Sequence, residues 1–445
     1  MGLGLHGGGL GTTKFLARHG ALVTVTDLRS KSVLAPVIRE LRGLKNIRYI
    51  LGRHRKKDFS QAELIFKNPG VPPDSPLLKY AQKLNIPITS DVAFFLEHCP
   101  ARIIGVTGTR GKSTTVKIIG GLLALKYKGV FIGGNIRKSV LKILPHLKSK
   151  DWAVLELSSF QLHDLNYQSK KERLNIHYAV LTNILRDHLN WHKNFSSYVN
   201  SKKNIFRWQK GDDYLFINTG DKLVKRLVKK APAKIIYANS NRSYQKIVQK
   251  NLGKHYLPSV ALAVSVAKKL GIKDKQIKKF LRRFRGLEGR EEKIASLKGI
   301  HFINDTTATS PDATIAAILR FSVLPPRNKK IILIAGGQDK RLYFTKMAEA
   351  IKRRVDSLVL LPGTATQSLK RELKKTKLKP NAVKLKNVRE VKSIREAVQT
   401  AYRLAKKGDY VILSPGAASF GLFLNEFDRG EKFAEELTKL KSATK

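Results

Sequence analysis

The segment from Thr107 to Thr114, TGTRGKST, combines glycines, a lysine and hydroxyls in a spacing suited to phosphate binding. A glycine-rich turn directs several backbone N–H groups toward phosphate oxygens, and the N-terminus of a following helix adds partial positive charge. Lys112 adds a point charge for the β and γ phosphates, and the hydroxyl of Ser113 or Thr114 suits Mg²⁺. The residues predicted to bind ATP are Gly108, Thr109, Gly111, Lys112, Ser113 and Thr114.

The elements predicted around this loop are those of an open α/β sheet. An apolar run leads into the loop, and a helical pattern over 116–125 follows it. A second apolar run, 152–157, carries Glu156 near its end, and a strand over 178–181 precedes His188. Because ligands bind beyond the carboxyl ends of the strands in such sheets, we expect Glu156 and His188 beside the loop. A helix-capping role for Glu156 and a surface position for His188 are the alternatives.

A second glycine pattern opens the chain, where MGLGLHGGGLG contains a G-x-G-x-x-G spacing from Gly2. A helical pattern and a short strand lead from it to Asp27. This set is typical of a dinucleotide fingerprint, so an NAD-dependent oxidoreductase is one interpretation. A loop of this type follows a β-strand, and only Met1 precedes it here. We therefore expect that a first strand, upstream of this sequence, is missing.

Composition and charge limit the number of domains and the classes of protein to which the chain can belong. At 445 residues, with about 150 residues per domain, the chain is expected to form about three domains. The 86 Lys and Arg against 33 Asp and Glu, a net charge of +53, raise the alternative of a basic nucleic-acid-binding protein. The lysines are spread over many amphipathic segments, which favours a solvated basic surface. This spread predicts that the protein has no nucleic-acid partner. A single cysteine, and no long apolar run or signal peptide, predict a cytoplasmic protein without a membrane partner.

The Thr-Gly-Thr-x-Gly-Lys-Ser form of the loop resembles the ATP loop of the Mur ligase and folylpolyglutamate synthetase superfamily, which contains ATP-dependent amide-bond ligases. Further segments resemble that family in the same order along the chain, namely ELSSFQL from Glu156, DH at 187–188, NDTTAT from Asn304 and SPGAAS from Ser414. The resemblance implies an α/β fold with three domains. These are a Rossmann-like UDP-substrate domain, 1–92, a central P-loop ATPase-type domain, 93–286, and a C-terminal Rossmann-like amino-acid-binding domain, 287–445.

The ordered motifs most resemble the branch of the family that adds D-glutamate to UDP-N-acetylmuramoyl-L-alanine in peptidoglycan synthesis, and thereby serves cell shape and division. That resemblance implies phosphorylation of the substrate carboxylate by ATP, followed by attack of the D-glutamate amine on the acyl phosphate. It also implies a monomer and two Mg²⁺ ions. The residues implied for catalysis are Lys112, Glu156, His188 and Lys202. The implied metal-site residues are Ser113, Glu156, His188 and Lys202, with Lys202 carbamylated and the adjacent Lys203 as the alternative.

The remaining site residues are also implied by the resemblance. Thr307 replaces a lysine of the family, Tyr256 and Ser259 stand in place of asparagines near the adenine, and Glu426 displaces a phenylalanine. A sister ligase that adds another amino acid therefore stays an alternative. The implied ATP contacts outside the loop are Arg290 and Asp305. The implied substrate residues are Leu5, His6, Arg29, Asn135, Ser159, Gln161, Thr309, Lys340 and Ser419, with a solvated loop position as the alternative for Arg29.

Overall fold

The computed structural model divides the chain into two compact units, Met1–Phe284 and Arg285–Lys445. Both units are built from β-strands alternating with helices, as the α/β prediction requires. Within the described part of the chain, no helix combines the length and apolarity needed to cross a lipid bilayer. The residues that the structure describes are 1–5, 7–135, 139–168, 174, 176–188, 191–239, 241–324, 328–340, 342–378, 382, 384–419 and 421–443.

The first part of unit Met1–Phe284 contains two small parallel sheets, β1-β2 and β3-β4. The opening residues run between them, because the amide of Gly2 donates to the carbonyl of Thr26 at 2.8 Å and the amide of Asn68 donates to Met1 at 3.0 Å. This part consists of α1 (Gly8–Arg18), β1 (Val23–Asp27), α2 (Lys31–Arg39), β2 (Ile47–Leu51), α3 (Lys56–Ser60), β3 (Ile65–Phe66), α4 (Pro76–Lys83), β4 (Ile88–Thr89) and α5 (Asp91–His98).

The second part of this unit holds a larger parallel sheet in the order β10-β9-β8-β5-β7-β6. Its middle strands are continuously buried because helices cover both faces. Since β5 lies between β7 and β8, the loops that follow these three strands meet at one edge. The elements are β5 (Arg102–Thr107), α6 (Lys112–Leu123), β6 (Val130–Gly134), β7 (Trp152–Glu156), α7 (Ser159–Asp164), β8 (Tyr178–Leu181), α8 (Phe195–Lys203), β9 (Tyr214–Asn218), α9 (Lys222–Leu227), β10 (Lys234–Ala238), α10 (Arg242–Asn251), α11 (Leu257–Lys269) and α12 (Asp274–Arg283).

The sequence pattern predicts one continuous helix over 251–270, and this prediction is wrong in the first turns. Helix α10 ends at Asn251, a short 3-10 turn covers Lys254–Tyr256, and α11 begins only at Leu257. Gly253 has φ of 102°, a left-handed conformation that interrupts a right-handed helix and favours glycine. Pro258 lies in the first turn of α11, where its missing N–H leaves no intrahelical bond unmade.

Unit Arg285–Lys445 contains one mixed sheet in the order β11-β12-β16-β13-β14-β15. Strand β11 pairs antiparallel with β12, whereas the other pairs are parallel. The carboxyl ends of β12, β16 and β13 therefore lie side by side. The elements are β11 (Glu292–Leu297), β12 (Ile300–Asn304), α13 (Pro311–Val323), β13 (Ile331–Gly336), α14 (Thr345–Arg354), β14 (Ser357–Leu361), α15 (Thr364–Lys375), β15 (Asn387–Glu390), α16 (Ile394–Leu404), β16 (Tyr410–Leu413) and α17 (Glu426–Ala443).

Candidate active site

The glycine loop between β5 and α6 is held in one shape by the end of β8. The amide of Thr109 donates to the carbonyl of Asn183 at 2.9 Å, and the hydroxyl of Thr182 donates to the carbonyl of Arg110 at 2.7 Å. Gly108 has φ of 146°, and a Cβ there would lie 1.8 Å from the Thr182 hydroxyl. The loop therefore requires glycine at this position, and it reaches the first turn of α6 as the sequence predicted.

Two lysines meet on this loop. The Lys112 ammonium donates to the carbonyls of Gly108 and Thr109, each at 3.1 Å. Lys202, on α8, donates to the same Gly108 carbonyl at 2.8 Å and is almost completely buried. Burial, and then the charge of Lys112, lower the pKa of Lys202 well below its usual value. Lys203, the alternative for this position, is only partly buried on α8.

Glu156 ends β7 directly beside the loop. It pairs across the sheet with Val106 of β5 and with Gly134 of β6. Its Oε1 accepts a long hydrogen bond, 3.4 Å, from the side chain of Asn135, and its buried Oε2 has no hydrogen-bond partner among the described residues. Its negative charge reaches Lys202, whose pKa it raises against the dominant effect of burial.

The capping alternative for Glu156 is wrong, because another residue caps α7. The hydroxyl of Ser158 accepts from the amide of Gln161 at 3.2 Å, and the Gln161 side chain accepts from the amide of Ser158 at 3.0 Å. This reciprocal pair satisfies two orphan donors of the helix N-terminus. Glu156 is thereby left available at the strand end, while Gln161, a predicted substrate residue, is engaged in the cap.

His188 lies in a cluster of aromatic side chains next to the loop. Its ring packs edge-on against Phe160 at 4.8 Å and lies 6.4 Å from Tyr198, measured between ring centroids. The Tyr198 hydroxyl shares a hydrogen bond of 2.8 Å with that of Thr109, which joins the cluster to the glycine loop. His188 has φ of 53°, an uncommon left-handed conformation for a non-glycine residue, and its side chain is about half exposed. His188 follows β8, which pairs with β5 on the side opposite β7, the strand that ends at Glu156.

The predicted UDP-side residues lie around Asp27 at the end of β1. The buried Asp27 carboxylate accepts from the amides of Gly4 at 3.0 Å and Arg29 at 2.9 Å. The Arg29 guanidinium lies 3.5 Å from the same carboxylate and is half exposed, so its outer face is open to an anion. Leu5 is partly exposed on the glycine turn. His6 lies outside the described residues.

The candidate residues of unit Arg285–Lys445 occupy the loops after β12, β16 and β13. The hydroxyl of Ser414 donates to Asp305 at 2.6 Å, and burial, followed by the charge of Glu291, raises the pKa of Asp305 to about 8. The positive charge of Arg290 acts on Asp305 in the opposite direction. Thr309 follows in the Asp305 loop, Ser419 is buried in the β16 loop and Lys340 is exposed in the β13 loop.

Comparisons with known proteins follow the domain order that the sequence implied. Residues 1–90 match the model described as Mur ligase MurD-like, N-terminal domain; 106–273 match the Mur ligase middle domain and 289–416 the Mur ligase, glutamate ligase domain. A UDP-N-acetylmuramoylalanine–D-glutamate ligase of Roseiflexus sp. is 36% identical over 464 residues, covering 97% of this chain and 96% of the relative. A ligase of the same name from Clostridioides difficile is 32% identical, covering 99% of this chain and 98% of the relative. The chain belongs to the Mur ligase family.

Solved structures of Mur ligases share this fold. The MurC UDP-N-acetylmuramate-alanine ligase of Thermotoga maritima has a TM-score of 0.60 at 17% identity, covering 99% of this chain and 98% of that one. The MurF ligase of the same organism, in complex with ADP, has a TM-score of 0.57 at 17% identity, covering 95% and 97%. The predicted three-part α/β fold of a Mur ligase is therefore confirmed. The oxidoreductase interpretation of the first glycine pattern is not supported, because residues 1–90, which contain this pattern, match a Mur ligase N-terminal domain.

The donor set at the Mur ligase loop fits a magnesium–nucleotide complex. Within the described ranges, no cluster of three or more His, Cys, Asp or Glu residues forms a ready-made metal cage. Mg²⁺ is ordinarily held by one or two carboxylates together with substrate phosphates and water, so such a cage is not required. The Oε2 of Glu156, which has no hydrogen-bond partner in the described part of the chain, is a carboxylate oxygen that would suit such an ion.

Sequence reasoning missed the residues that pack around Phe160 and Ser159 beside His188. His192 shares a hydrogen bond of 2.9 Å with the hydroxyl of Ser159 and stacks on Phe160. Burial, followed by the charges of neighbouring cations, lowers the pKa of His192 to about 4, which keeps its ring neutral. The run of aromatic and histidine residues around Trp191 was the available signal, but such a run is as typical of a packed core as of a site.

Proposed function

We propose that this Mur ligase joins D-glutamate to UDP-N-acetylmuramoyl-L-alanine at the expense of ATP, in peptidoglycan synthesis. The observation that carries the proposal is the meeting of Lys112 and Lys202 on the carbonyl of Gly108, together with Glu156, whose Oε2 has no hydrogen-bond partner among the described residues. This arrangement suits a nucleoside triphosphate and its cation. The relatives named for D-glutamate ligation support the choice of substrates.

Phosphate binding is assigned to the loop and the first turn of α6. The N-terminus of α6, which begins at Lys112, offers backbone donors and partial positive charge to phosphate oxygens. Lys112 adds a full positive charge. Its attraction for the transferred phosphoryl group strengthens as negative charge develops on that group. These residues offset the repulsion between the triphosphate and the substrate carboxylate. Arg290 and Asp305, in the other unit, are assigned to the nucleotide as well.

Two Mg²⁺ ions are assigned to Ser113, Glu156, His188 and carbamylated Lys202. When bound, they neutralise phosphate charge and act as Lewis acids toward the transferred phosphoryl group. Lys202 suits carbamylation because its amine is buried at the loop, where it donates hydrogen bonds to neutral oxygens of Gly108 and Thr107. A carbamate would place an anion with two oxygen donors at this position.

The proposed reaction proceeds through two successive nucleophilic displacements. An oxygen of the alanyl carboxylate attacks the γ-phosphorus, the bond to ADP breaks, and an acyl phosphate forms. The D-glutamate amine then attacks the acyl carbon, a proton leaves the amine, and phosphate departs with the former carboxylate oxygen. Leu5, Arg29, Asn135, Ser159 and Gln161 are assigned to the UDP-linked substrate, together with His6. Thr309, Lys340 and Ser419 are assigned to the carboxylates of D-glutamate.

The identity of the amino acid depends on residues that depart from the family pattern. Thr307 replaces a lysine, and its hydroxyl donates to the carbonyl of Gly289 at 3.0 Å, so it contributes a local bond in place of a charge. This favours, as the second candidate, a ligase that accepts a different amino acid. Mass spectrometry of the product formed with ATP, UDP-N-acetylmuramoyl-L-alanine and single amino acids separates the two. Among the amino acids tested, only D-glutamate should give product. Product with another amino acid, and none with D-glutamate, would contradict the proposal.

The cytoplasmic location and the monomeric state stay predictions. Sedimentation of the purified chain with and without ATP tests the oligomeric state directly. A single species at the mass of one 50.0 kDa chain is expected in both conditions.

A further inference from the structure

A fully buried ion pair joins the two parts of unit Met1–Phe284. The Lys67 ammonium lies 2.8 Å from Oδ1 and 3.0 Å from Oδ2 of Asp164, and both side chains have no exposed surface. The same ammonium lies 5.7 Å from the centre of the Trp191 ring. Neither residue belongs to the motifs that identify the family, and neither contacts the loop that binds phosphate. A buried pair of this kind is costly to form from hydrated ions, and good hydrogen-bond geometry offsets part of that cost.

Lys67 is attached to the segment that supports the first glycine turn. It directly follows β3, and its amide donates to the carbonyl of Thr89 at 2.8 Å. The next residue, Asn68, packs against that turn: a Cβ on Gly2 would lie 3.1 Å from the Asn68 side chain, and one on Gly4 would lie 3.7 Å from it. A shift of Lys67 would therefore move the support of the turn assigned to the UDP group.

Asp164 is attached to the helix that follows the catalytic strand. It is the last residue of α7, whose first residue, Ser159, is bonded to His192. Phe160 of the same short helix packs against His188 and against Trp191. Beyond Asp164 the chain returns to the first part of the unit, where the Tyr167 hydroxyl donates to the carbonyl of Pro73 at 3.3 Å. Helix α7 thus connects the Glu156 strand and the His188 cluster to the ion pair.

We propose that Lys67 and Asp164 are positioning residues, which hold the UDP-side turn in register with α7 so that the substrate carboxylate reaches the phosphate loop. This proposal rests on the proposed function. Two charge-assisted hydrogen bonds from one ammonium to one carboxylate fix both distance and direction, which apolar packing of similar size does not. The surroundings make this contact strong, because the low polarity of a buried site weakens screening.

The test is steady-state kinetics of Lys67→Met, with Lys79→Met, an exposed lysine on α4, as the matched control. Loss of register should raise KM for the UDP-linked substrate between ~10- and ~100-fold, because a small misplacement far from the reacting atoms has effects of that size. KM for ATP should change less than about 2-fold, and Lys79→Met should match wild type. A variant that is merely less stable loses active enzyme and melts earlier, but its KM values stay unchanged. That result overturns the proposal.

A second variant keeps the test decisive if Lys67→Met does not fold. The double variant Lys67→Met/Asp164→Leu replaces both charges by apolar groups, which removes the unpaired carboxylate that destabilises the single variant. It should fold and still show the raised KM for the UDP-linked substrate; a wild-type KM overturns the proposal. Ligation with D-glutamate by the wild-type enzyme is measured in parallel. If the proposed function is wrong, the wild-type enzyme itself gives no product. If only the positioning proposal is wrong, the wild-type enzyme is active and the variants keep a wild-type KM.

Discussion

The ammonium groups of Lys112 and Lys202 donate to the same backbone oxygen, that of Gly108, at 3.1 and 2.8 Å. Burial disfavours the charged form of Lys202, and the nearby positive charge of Lys112 disfavours it further. The pKa of Lys202 is therefore lowered well below its usual value. Both effects shift Lys202 toward its neutral amine form. A neutral buried amine is the form that reacts with carbon dioxide, which connects the geometry to the carbamate assigned to Lys202.

Replacing Lys112 by alanine should leave the fold intact and lower turnover by at least ~100-fold, the scale for losing a preorganised charge contact to a developing anion. Phosphate release in the presence of both substrates is the measurement, with circular dichroism as the check on folding. Lys117→Ala on the exposed side of α6 is the matched control and should retain wild-type turnover. Equal turnover in the two variants would remove the loop lysine from the mechanism.

Replacing Lys202 by alanine should abolish ligation, and small carboxylates such as formate or acetate should restore part of it. The reason is that an exogenous carboxylate supplies the oxygens that the carbamate would have provided. Lys203→Ala is the control, because Lys203 is only partly buried and should tolerate the change. An inactive Lys203→Ala beside an active Lys202→Ala would transfer the assignment to the neighbouring residue.

Replacing Gly134 by alanine should destabilise the edge at which Glu156 is presented. Gly134 has φ of 97°, and a Cβ there would lie 2.1 Å from the carbonyl oxygen of Glu156. The backbone strain alone costs about 1–3 kcal/mol, and the clash adds to it. Urea denaturation measures the loss, with Gly211→Ala as a control because a Cβ there would meet no atom within 4 Å. Similar midpoints for the two variants would contradict this account of the edge.

The buried Asp305 should make stability depend on pH. Its folded pKa is raised to about 8 by burial and by Glu291, whereas a carboxyl in the unfolded chain titrates near 3.8. Between these values the folded state holds a proton that the unfolded state has released, so stability falls as pH rises through this window and levels off above it. Each pKa unit corresponds to about 1.4 kcal/mol.

Asp305→Asn, which imitates the neutral carboxyl, should remove most of that pH dependence. The measurement is the difference in unfolding free energy between wild type and variant across the window from 3.8 to about 8. Wild type should lose stability relative to Asp305→Asn as pH rises, while Asp312→Asn at an exposed site should run parallel to wild type. A constant difference between wild type and Asp305→Asn would show that Asp305 is ionised throughout.

The surroundings of the phosphate loop were predictable from the sequence for physical reasons. The central strands are covered on both faces, so they appear as uninterrupted apolar runs, and the run that ends at Glu156 is one of them. The loop itself needs glycine at position 108, where any side chain would strike Thr182. Local sequence and global fold agree at these positions, which is why the pattern predicted the structure.

Other features depend on contacts between distant segments that local patterns do not encode. Strand β2 was missed because it is only half-buried and carries polar residues. The Lys67–Asp164 pair joins residues 97 positions apart, and each taken alone is typical of a solvated surface charge. The break before α11 depends on the left-handed backbone of Gly253, which only the surrounding packing selects.

The central claim is that the loop holding Lys112 activates a substrate carboxylate by phosphorylation. The most direct measurement uses UDP-N-acetylmuramoyl-L-alanine labelled with oxygen-18 in its terminal carboxylate, and follows the label into the products formed with ATP and D-glutamate. The account predicts that each released phosphate carries one labelled oxygen, because the acyl phosphate breaks between the acyl carbon and that oxygen. Unlabelled phosphate, or label appearing in AMP, would contradict it.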